Sequence, residues 1–503
     1  MRFAIALALL AVSSSAAALN DSTLLWFRDG NPTTQAIALQ RELAGAASRG
    51  LNPLDYRLPP TPTDADLTSI AERFASDLSR GRVSPEQLGY DLDVPRAPLD
   101  EKAVVGTLAS STDLPQALDA LEPQLIHYRL LRAALARYRA LAAAGVRVPA
   151  PSQTKVSPGE PYTGAPELRE LLQALGDMPA TTAAVATAPV LDTPLQDALR
   201  RFQARHGLEA DGVLGRATYR ALSVPLEQRV TQIELAMERI RWLPLPLDSP
   251  PIIVNVPQFR LFAFRTTSDR AQDILQMDVI VGADFKGRRT PVFAADMRYV
   301  VLQPYWDVPR SILVKEMLPQ IASDTSWIER NGYEIVRGQT DASPVVAPTP
   351  ENIALLARGA LRLRQKPGPT NALGRIKFML PNTHQVYLHD TPARAMFSRS
   401  RRALSHGCIR VADPMALLAH VMRNDPSWTD EKREAALANT SSVRVPLIAP
   451  VRVFILYGTA LATEAGTVMF FDDIYEQDAP LLEKLRRSSR TSSLRSVEDT
   501  RIR

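Results

Sequence analysis

The chain has a single cysteine, Cys408, in 503 residues, so no intramolecular disulfide can form. Beyond its first residues it has no apolar run near the ~20 residues that a membrane-spanning helix needs. It also has little net charge, +5, and its basic residues are not interleaved with aromatic ones as in nucleic-acid-binding proteins. These absences argue against an integral membrane protein and against nucleic acid as a partner. They also leave the lone thiol to be explained.

The N-terminus has the pattern of a secretory signal peptide. Met1 and Arg2 form a short positive region, residues 3–12 are apolar, and residues 13–18 are small. The last of these fit a small-x-small cleavage site. We therefore expect residues 1–18 to be removed, which leaves an exported, periplasmic protein with no stable membrane span. An uncleaved membrane anchor is the alternative.

The composition predicts several globular domains. Hydrophobic residues make up 45% of the chain, and 40 prolines cluster between apolar segments, where they mark loops and boundaries. Apolar residues at three- and four-residue spacing predict a helical domain at 31–160 and a second helical module at 161–225. We expect residues 226–249 to form a helical linker that returns to the first domain. Residues 479–503 are expected to form a disordered basic tail.

From residue 250 the hydrophobic pattern changes from helical to alternating, which predicts a mainly β domain at 250–478. The predicted strands lie at 252–256, 259–263, 277–281, 299–302, 376–380, 385–389, 451–457 and 468–471. Residues 311–370 interrupt them with a more helical, proline-bounded insertion, in which 351–363 is a helix-like stretch. Such an insertion is either a lid over a site or a plain packing subdomain.

A lone thiol in an oxidising compartment is either a buried, inert side chain or a catalytic nucleophile. Cys408 stands in the string SHGCIRV at 405–411, and YLHDTP precedes it at 387–392. Because only the thiolate attacks a carbonyl well, the nucleophile needs a nearby imidazole. His406 lies two residues away on one predicted strand, where neighbours seldom point their reactive atoms at each other. His389, at the end of an adjacent predicted strand, is therefore the preferred base.

Two further residues near Cys408 have predicted roles. Gly407 has no side chain, so a substrate carbonyl can approach the backbone there, and the amides of Gly407 and Cys408 can point at the oxyanion that forms on attack. Arg410 can bind a substrate carboxylate, although a structural salt bridge explains it equally well.

The module at 161–225 resembles the peptidoglycan-binding domain 1 family. The resemblance covers residues 166–222 and depends on FQARHGL at 202–208, followed by Asp211-Gly212-x-x-Gly215-x-x-Thr218. It implies a small three-helix module that binds peptidoglycan. An unrelated three-helix bundle with a glycine-rich turn is the alternative.

The spacing His389-x18-Cys408 and the string SHGCxRV resemble the active-site signature of the YkuD-type L,D-transpeptidases. Outside this signature, PxWxVP at 304–309, residues 282–291 and FDDIY at 471–475 resemble the large YcbB-like subgroup. The resemblance implies a multidomain α+β protein. Its parts are a helical scaffold domain, the small three-helix peptidoglycan-binding module, and a mainly β catalytic domain with a capping insertion at 311–370. Smaller members often have glycine where this chain has Asp390, which leaves the tuning of the base open.

The resemblance also implies roles for the site residues. Cys408 is the acylated nucleophile and His389 is the base, and no metal or organic cofactor is needed. The candidate substrate-binding residues are Arg410, His406, Tyr387 and Trp306.

The implied reaction is peptidoglycan cross-linking. Cys408 attacks the carbonyl at the L-centre of the third residue of a donor tetrapeptide stem, and D-alanine leaves as an acyl-thioester forms. The side-chain amine of a second stem then takes the acyl group, which gives a 3→3 cross-link. The expected partners are the donor and acceptor stem peptides, with other cell-wall synthesis proteins as further candidates.

Three other interpretations stay open from the sequence. Water or a lipoprotein lysine can replace the acceptor amine, which makes the protein an L,D-carboxypeptidase or a lipoprotein-attaching transferase on the same cysteine. The chain can also be a wall-binding scaffold without catalysis. The third is a zinc site of His384, His389, His406 and Cys408, whose ligand spacing is poor.

Overall fold

The computed structural model describes residues 25–92, 99–145, 154–179, 189–244, 247, 249–267 and 273–499. The predicted signal peptide at 1–18 lies outside these ranges. The described residues form a helical N-terminal part, a small helical module and a β-rich C-terminal domain. This arrangement confirms the predicted multidomain α+β fold class. None of the described helices is long and apolar enough to cross a membrane.

Four helices surround an apolar core in the first part of the chain. Trp26 and Leu118 are fully buried in it. The guanidinium of Arg49 is also buried, and it donates hydrogen bonds to the carboxylates of Glu42, Asp119 and Glu122, which compensate its charge. The elements are β1 (Phe27–Arg28), β2 (Asn31–Pro32), α1 (Thr34–Ala44), α2 (Asp64–Arg80), α3 (Glu101–Ser110) and α4 (Leu114–Leu121), with 3-10 turns at Ala46–Arg49, Pro53–Tyr56 and Pro85–Leu88.

The next helices comprise the module and the two helices that flank it in sequence. Each of α5, α6 and the 3-10 turn at Pro85–Leu88 ends at a glycine with positive φ, which satisfies carbonyls of the last turn. Helix α9 packs along α5, so the chain returns to the helical part after the module. The elements are α5 (Ile126–Ala144), α6 (Ala165–Leu175), α7 (Thr193–Arg205), α8 (Arg216–Leu222) and α9 (Leu226–Arg241).

After α9 the chain enters the β domain, whose strands alternate between buried and less buried residues. Ile252, Val254 and Leu261 are fully buried in its core. The first four strands are β3 (Ile252–Asn255), β4 (Arg260–Ala263), β5 (Leu275–Gly282) and β6 (Phe293–Leu302).

The insertion forms a subdomain that begins earlier than the predicted 311–370, at Trp306. Its own apolar core includes Ile321, Leu356 and Leu363. Its predicted helical character is incomplete, because it also contains a four-stranded sheet in the order β7-β10-β8-β9. The predicted helix-like stretch at 351–363 is split: α13 ends at Gly359, which has a φ of 84°, and the chain continues as a strand. The elements are β7 (Trp306–Asp307), α10 (Arg310–Ile312), a π-helical turn (Leu313–Met317), α11 (Leu318–Ser323), α12 (Trp327–Arg330), β8 (Tyr333–Val336), β9 (Val345–Val346), α13 (Pro350–Arg358) and β10 (Arg362–Gln365).

The remaining strands complete the main sheet, whose described strands follow the order β13-β5-β14-β12-β11-β6-β15-β3-β4. Because β4 also pairs with β5, the sheet closes on itself. The elements are β11 (Ile376–Met379), β12 (Leu388–His389), a 3-10 turn (Arg394–Ser398), β13 (Ala403–Ser405), β14 (Ile409–Val411), α14 (Pro414–Val421), α15 (Asp430–Ala438), β15 (Val443–Leu456), β16 (Ala460–Ala462) and β17 (Val468–Phe470).

The β16–β17 hairpin joins the catalytic half of the chain to the module. Its side chains enter an apolar core that is shared with α5, α9 and the three module helices. Arg205 of α7 donates two hydrogen bonds to the Asp177 carboxylate and a third to the Val468 carbonyl, at 2.6–2.9 Å. Arg205, whose charge is paired with Asp177 inside the module, thus connects the module to this hairpin through the Val468 carbonyl.

The predicted disordered tail at 479–503 is wrong for most of its length, because Asp478–Asp499 is a helix, α16. Leu481 is fully buried in the β-domain core, and Leu482 and Leu485 pack against it. Arg239 of α9 pairs with Asp478 at 2.6 Å. These apolar contacts and this ion pair hold the first turns of α16, up to Leu485, against the β domain and α9. Residues 500–503 lie outside the described residues.

Candidate active site

Two neighbouring parallel strands position the predicted nucleophile and base. In the β12–β14 pair, Leu388 lies opposite Ile409 and His389 lies opposite Arg410. Both Leu388 and Ile409 are fully buried in the domain core. Since alternate residues of a strand share a face, His389 and Arg410 lie on the opposite face, and Cys408 comes just before β14 on that same side. The structure thus brings the imidazole and the thiol to one face of adjacent strands.

His389 is buried and has a defined tautomer. Its Nδ1 lies 2.5 Å from the backbone carbonyl of Asp390. A carbonyl only accepts hydrogen bonds, so Nδ1 carries the proton and Nε2 keeps its lone pair. Burial, and next the charge of Arg410, lower the pKa of His389 to about 3. The ring is therefore a neutral proton acceptor at physiological pH.

Asp390 acts on the base through its backbone rather than through its charge. Its carboxylate accepts hydrogen bonds from the amides of Arg375 and Thr391 and from the Arg394 side chain, at 2.6–2.8 Å. Gly374 makes room for it, because a Cβ there would lie 2.3 Å from the Asp390 carboxyl carbon. A glycine in place of Asp390 would offer His389 the same backbone carbonyl.

Cys408 is half-buried, and its thiol has a carbonyl acceptor. The sulfur lies 3.9 Å from the backbone oxygen of Gln385, and a hydrogen bond also joins it to the Tyr387 side chain. Gln385 has a φ of 58°, a left-handed conformation that is uncommon for a residue with a side chain. Burial raises the pKa of the Cys408 thiol, whereas Tyr387 acts in the opposite direction. The resting sulfur is therefore protonated.

The loop before Cys408 is held from one side by Ser405. Its Oγ accepts a hydrogen bond from the Gly407 amide at 3.1 Å and donates one to the Cys408 carbonyl at 2.6 Å. The Gly407 amide is thus occupied in this structure, and its part in an oxyanion site stays a prediction. Among the described residues the Cys408 amide has no such partner. Gly407 itself has a φ of 118°, which a residue with a side chain rarely adopts.

A second set of hydrogen bonds holds this loop from behind. Thr290 Oγ1 donates to the Gly407 carbonyl and accepts from the Gly282 amide, both at 2.8 Å. The hydroxyl of Tyr475 donates to the Gly282 carbonyl at 2.5 Å and accepts from the Thr290 amide at 3.2 Å. The segments 282–291 and 471–475 therefore support the backbone that carries the nucleophile.

Arg410 has no carboxylate partner among the described residues, so the salt-bridge interpretation is not supported. Its Nη1 lies 3.5 Å from the sulfur of Met396, and its buried Nε has no hydrogen-bond partner within the described part of the chain. Trp306, on the first strand of the insertion, hydrogen-bonds to the Tyr387 side chain. Two predicted substrate-binding residues, Tyr387 and Trp306, thus contact each other beside Cys408.

The other histidines of the proposed zinc set have different partners. His406 Nε2 lies 2.7 Å from Glu316 Oε1, on the π-helical turn of the insertion. His384 Nε2 lies 3.3 Å from Asp91 Oδ2. These two rings are thus engaged with carboxylates rather than with the Cys408 thiol, while His389 binds the Asp390 carbonyl through Nδ1. His406 therefore links the insertion to the nucleophile loop.

Lys377 is a site residue that the sequence reasoning missed. It lies opposite His389 in the β11–β12 pair, and its Nζ lies 4.1 Å from the centroid of the Tyr387 ring. The available signal was its place between the buried residues Ile376 and Phe378, which puts it on the other face of the strand. A lysine at such a position usually faces solvent, so the pattern alone did not indicate a role.

Comparison with known proteins agrees with this geometry. Residues 250–431 match the YkuD family, described as an L,D-transpeptidase catalytic domain. Residues 18–135 match a scaffold domain, and residues 164–222 match a domain described as "Putative peptidoglycan binding domain".

One relative, from Haemophilus influenzae, is named "Putative L,D-transpeptidase". It is 33% identical over 252 residues, which are 50% of this chain and 49% of that protein. The match thus spans about half the length of the relative. The chain is therefore similar to YkuD-type L,D-transpeptidase catalytic domains over residues 250–431, and it combines this match with matches to a scaffold domain and to a peptidoglycan-binding domain.

Proposed function

We propose that this chain is an exported, periplasmic peptidoglycan L,D-transpeptidase that forms 3→3 cross-links through an acyl-enzyme on Cys408. The observation that supports this most is the arrangement at the ends of β12 and β14. The sole thiol of the chain and a neutral, buried imidazole lie there on one face of adjacent strands. The peptidoglycan-binding domain in the same chain supports a cell-wall substrate.

The first half-reaction forms the thioester. Residues diagonal to each other on neighbouring strands are about 7–8 Å apart at their Cα atoms, so long side chains can meet. A turn of the thiol away from the Gln385 carbonyl lets His389 Nε2 take its proton. The sulfur then attacks the carbonyl of the third stem residue, and the Cys408 amide donates to the oxyanion. When the C–N bond breaks, the imidazolium returns the proton to the departing amine of D-alanine.

The second half-reaction transfers the acyl group. The side-chain amine of an acceptor stem attacks the thioester carbonyl, and His389 Nε2 takes the proton that the amine loses. The C–S bond breaks, the acyl group stays on the acceptor nitrogen as an amide, and the sulfur leaves as a thiolate that recovers the proton from the imidazolium. The neutral resting forms of both side chains are thereby restored.

Arg410 is the proposed binding group for a substrate carboxylate. It has a planar set of donors that matches a carboxylate, and no acidic side chain occupies it among the described residues. Stem peptides carry carboxylates near the bond to be broken. A bound carboxylate would satisfy a buried donor that otherwise has no partner.

The test is to incubate the purified full chain with tetrapeptide muropeptides and to identify the products by mass spectrometry. The proposal predicts cross-linked dimers with loss of D-alanine, and loss of most turnover in Cys408→Ala and His389→Ala. His384→Ala serves as the matched histidine control and should retain turnover, because His384 pairs with Asp91 instead. Trimmed monomers without dimers would indicate a carboxypeptidase. Release of neither product, with intact binding to peptidoglycan, would indicate a scaffold.

A further inference from the structure

Two cationic side chains act on the Cys408 sulfur from neighbouring strands. Lys377 comes from β11 and Arg410 from β14, and both charges act on the thiol. Tyr387 lies beside it, while His406 on the nucleophile loop is engaged with Glu316. A thiolate formed here would therefore have two neighbouring positive charges to stabilise it.

Lys377 is held in place by the sheet and by an aromatic ring. It pairs with His389 on one side and with Val301 of β6 on the other. Its ammonium lies 4.1 Å from the centroid of the Tyr387 ring, at a distance typical of cation–π contacts. The described residues contain no ion pair or hydrogen bond to its Nζ. Its charge is consequently available to the sulfur.

The electrostatic relation between the two groups is mutual. Burial lowers the pKa of Lys377, and Cys408 is the first of the groups that raise it again. Two acidic residues of the insertion, Asp307 and Asp341, act in the same direction as Cys408. A Cys408 thiolate stabilises the protonated form of Lys377, and the Lys377 ammonium therefore stabilises the Cys408 thiolate by the same free energy.

The two cations are not equivalent in the proposed reaction. Once Arg410 binds a substrate carboxylate, as proposed above, its charge is neutralised. We propose that Lys377, held on the Tyr387 ring, is a positioning residue whose positive charge stabilises the Cys408 thiolate after His389 takes the proton. In this step the S–H bond breaks, the electron pair stays on sulfur, and the proton moves to Nε2. The inference depends on the proposed function for the direction of that proton transfer.

The test uses the fact that Cys408 is the sole thiol of the chain. The rate of alkylation by iodoacetamide is measured against pH for the full chain and for Lys377→Met and Lys377→Arg. We expect loss of the ammonium to raise the pKa of the Cys408 thiol by about one pH unit, which lowers the thiolate fraction at pH 7 about tenfold. The Met variant should therefore react about tenfold more slowly at pH 7, and the midpoint of its rate against pH should lie at higher pH. The Arg variant should stay within about threefold of the original chain.

Lys432→Met is the matched control. Lys432 also lies over an aromatic ring, with its Nζ 4.6 Å from the centroid of Trp428, but it belongs to α15 and has no contact with the site among the described residues. Its alkylation profile should be unchanged. A profile of Lys377→Met that superimposes on that of the original chain would overturn the proposal.

A second measurement needs no substitution and so does not depend on how well a variant folds. The Lys377 Cε resonance is titrated by NMR before and after Cys408 is blocked with methyl methanethiosulfonate. The proposal predicts that blocking lowers the Lys377 pKa, because the neighbouring negative charge can no longer form. An unchanged titration would contradict it. If muropeptide turnover is absent while both predicted shifts occur, the proposed function fails and this inference stands.

Discussion

At the scale of single residues, burial keeps the two side chains of the proposed reaction, His389 and Cys408, uncharged in the resting protein. His389 is held as a neutral base by the Asp390 carbonyl on one nitrogen, and Cys408 is held as a thiol facing the Gln385 carbonyl. In the proposed reaction, an ion pair of thiolate and imidazolium is therefore a transient state. Hydrogen bonds from Ser405 and Thr290 fix the backbone around Gly407 and thereby position the Cys408 sulfur.

The buried imidazole makes stability depend on pH. The pKa of His389 is about 3 in the fold and 6.5 as its ordinary value. Between these values the folded chain thus binds fewer protons than the unfolded chain. The contribution of this group to the free energy of unfolding is therefore fully present above pH 6.5 and is lost as the pH falls from 6.5 towards 3. Between pH 7 and pH 5 this single group should cost about 2 kcal/mol in free energy of unfolding. Urea denaturation at both pH values measures the loss.

The comparison for this prediction is His389→Asn. That variant lacks the titrating group, so its free energy of unfolding should change by about 2 kcal/mol less than that of the original chain over the same interval. Equal losses in the two proteins would show that His389 is not held neutral by the fold.

At the scale of structural elements, the insertion is joined to the nucleophile loop by a charged contact. Glu316, on the π-helical turn, binds both His406 and Arg288. The hydrogen bond from His406, followed by the charges of His406 and Arg288, lowers the pKa of Glu316. Because the contact lies at the surface, it should add little to stability, but it fixes where the insertion meets the catalytic domain.

Glu316→Gln tests this link. We expect the free energy of unfolding to change by less than about 1 kcal/mol, while amide hydrogen exchange of Leu313–Met317 becomes faster. Glu351→Gln, on α13 of the same insertion, is the control and should leave that exchange unchanged. Equal exchange rates in the two variants would mean that the apolar contacts of the insertion hold it without Glu316.

The elements also show what the sequence can and cannot predict. Alternation identified most strands of the main sheet, since one face of each is buried, but it missed the short strands β13 and β14. The signature singled out Cys408 and His389 as the candidate pair. Hydrophobic alternation could not reveal the sheet within the insertion, because strands as short as Val345–Val346 have no readable period. The occupied Gly407 amide, the role of Lys377 and the contact of Glu316 all depend on residues distant in sequence that only the fold brings together.

At the scale of the whole molecule, one buried arginine links two parts that the sequence predicted as separate domains, because it pairs with an acid of its own module and donates to the Val468 carbonyl of the β16–β17 hairpin. Arg205 and Asp177 are each 5% exposed at their side chains and lie where the module meets the β16–β17 hairpin. The same hairpin accepts a hydrogen bond from His127 of α5 through Ala462. The peptidoglycan-binding domain thus packs against the rest of the chain.

Asp177→Ala tests this docking. It leaves the Arg205 charge buried without its partner, which typically costs about 3–5 kcal/mol. We expect faster hydrogen exchange in Val468–Phe470, with the alkylation rate of Cys408 unchanged. Asp197→Ala, which removes an exposed partner of Arg200 on the same helix, should cost less than about 1 kcal/mol. If both variants exchange like the original chain, the ion pair does not hold the module.

The central claim is that a wall peptide acylates the one thiol of this protein. Its most direct test is the intact mass of the full chain after mixing with a donor tetrapeptide stem in the absence of any acceptor. The account predicts a mass increase equal to the tripeptide acyl group, with D-alanine released and the adduct located on Cys408 after digestion. An unmodified chain that nonetheless releases D-alanine, or an adduct that persists in Cys408→Ala, would contradict it.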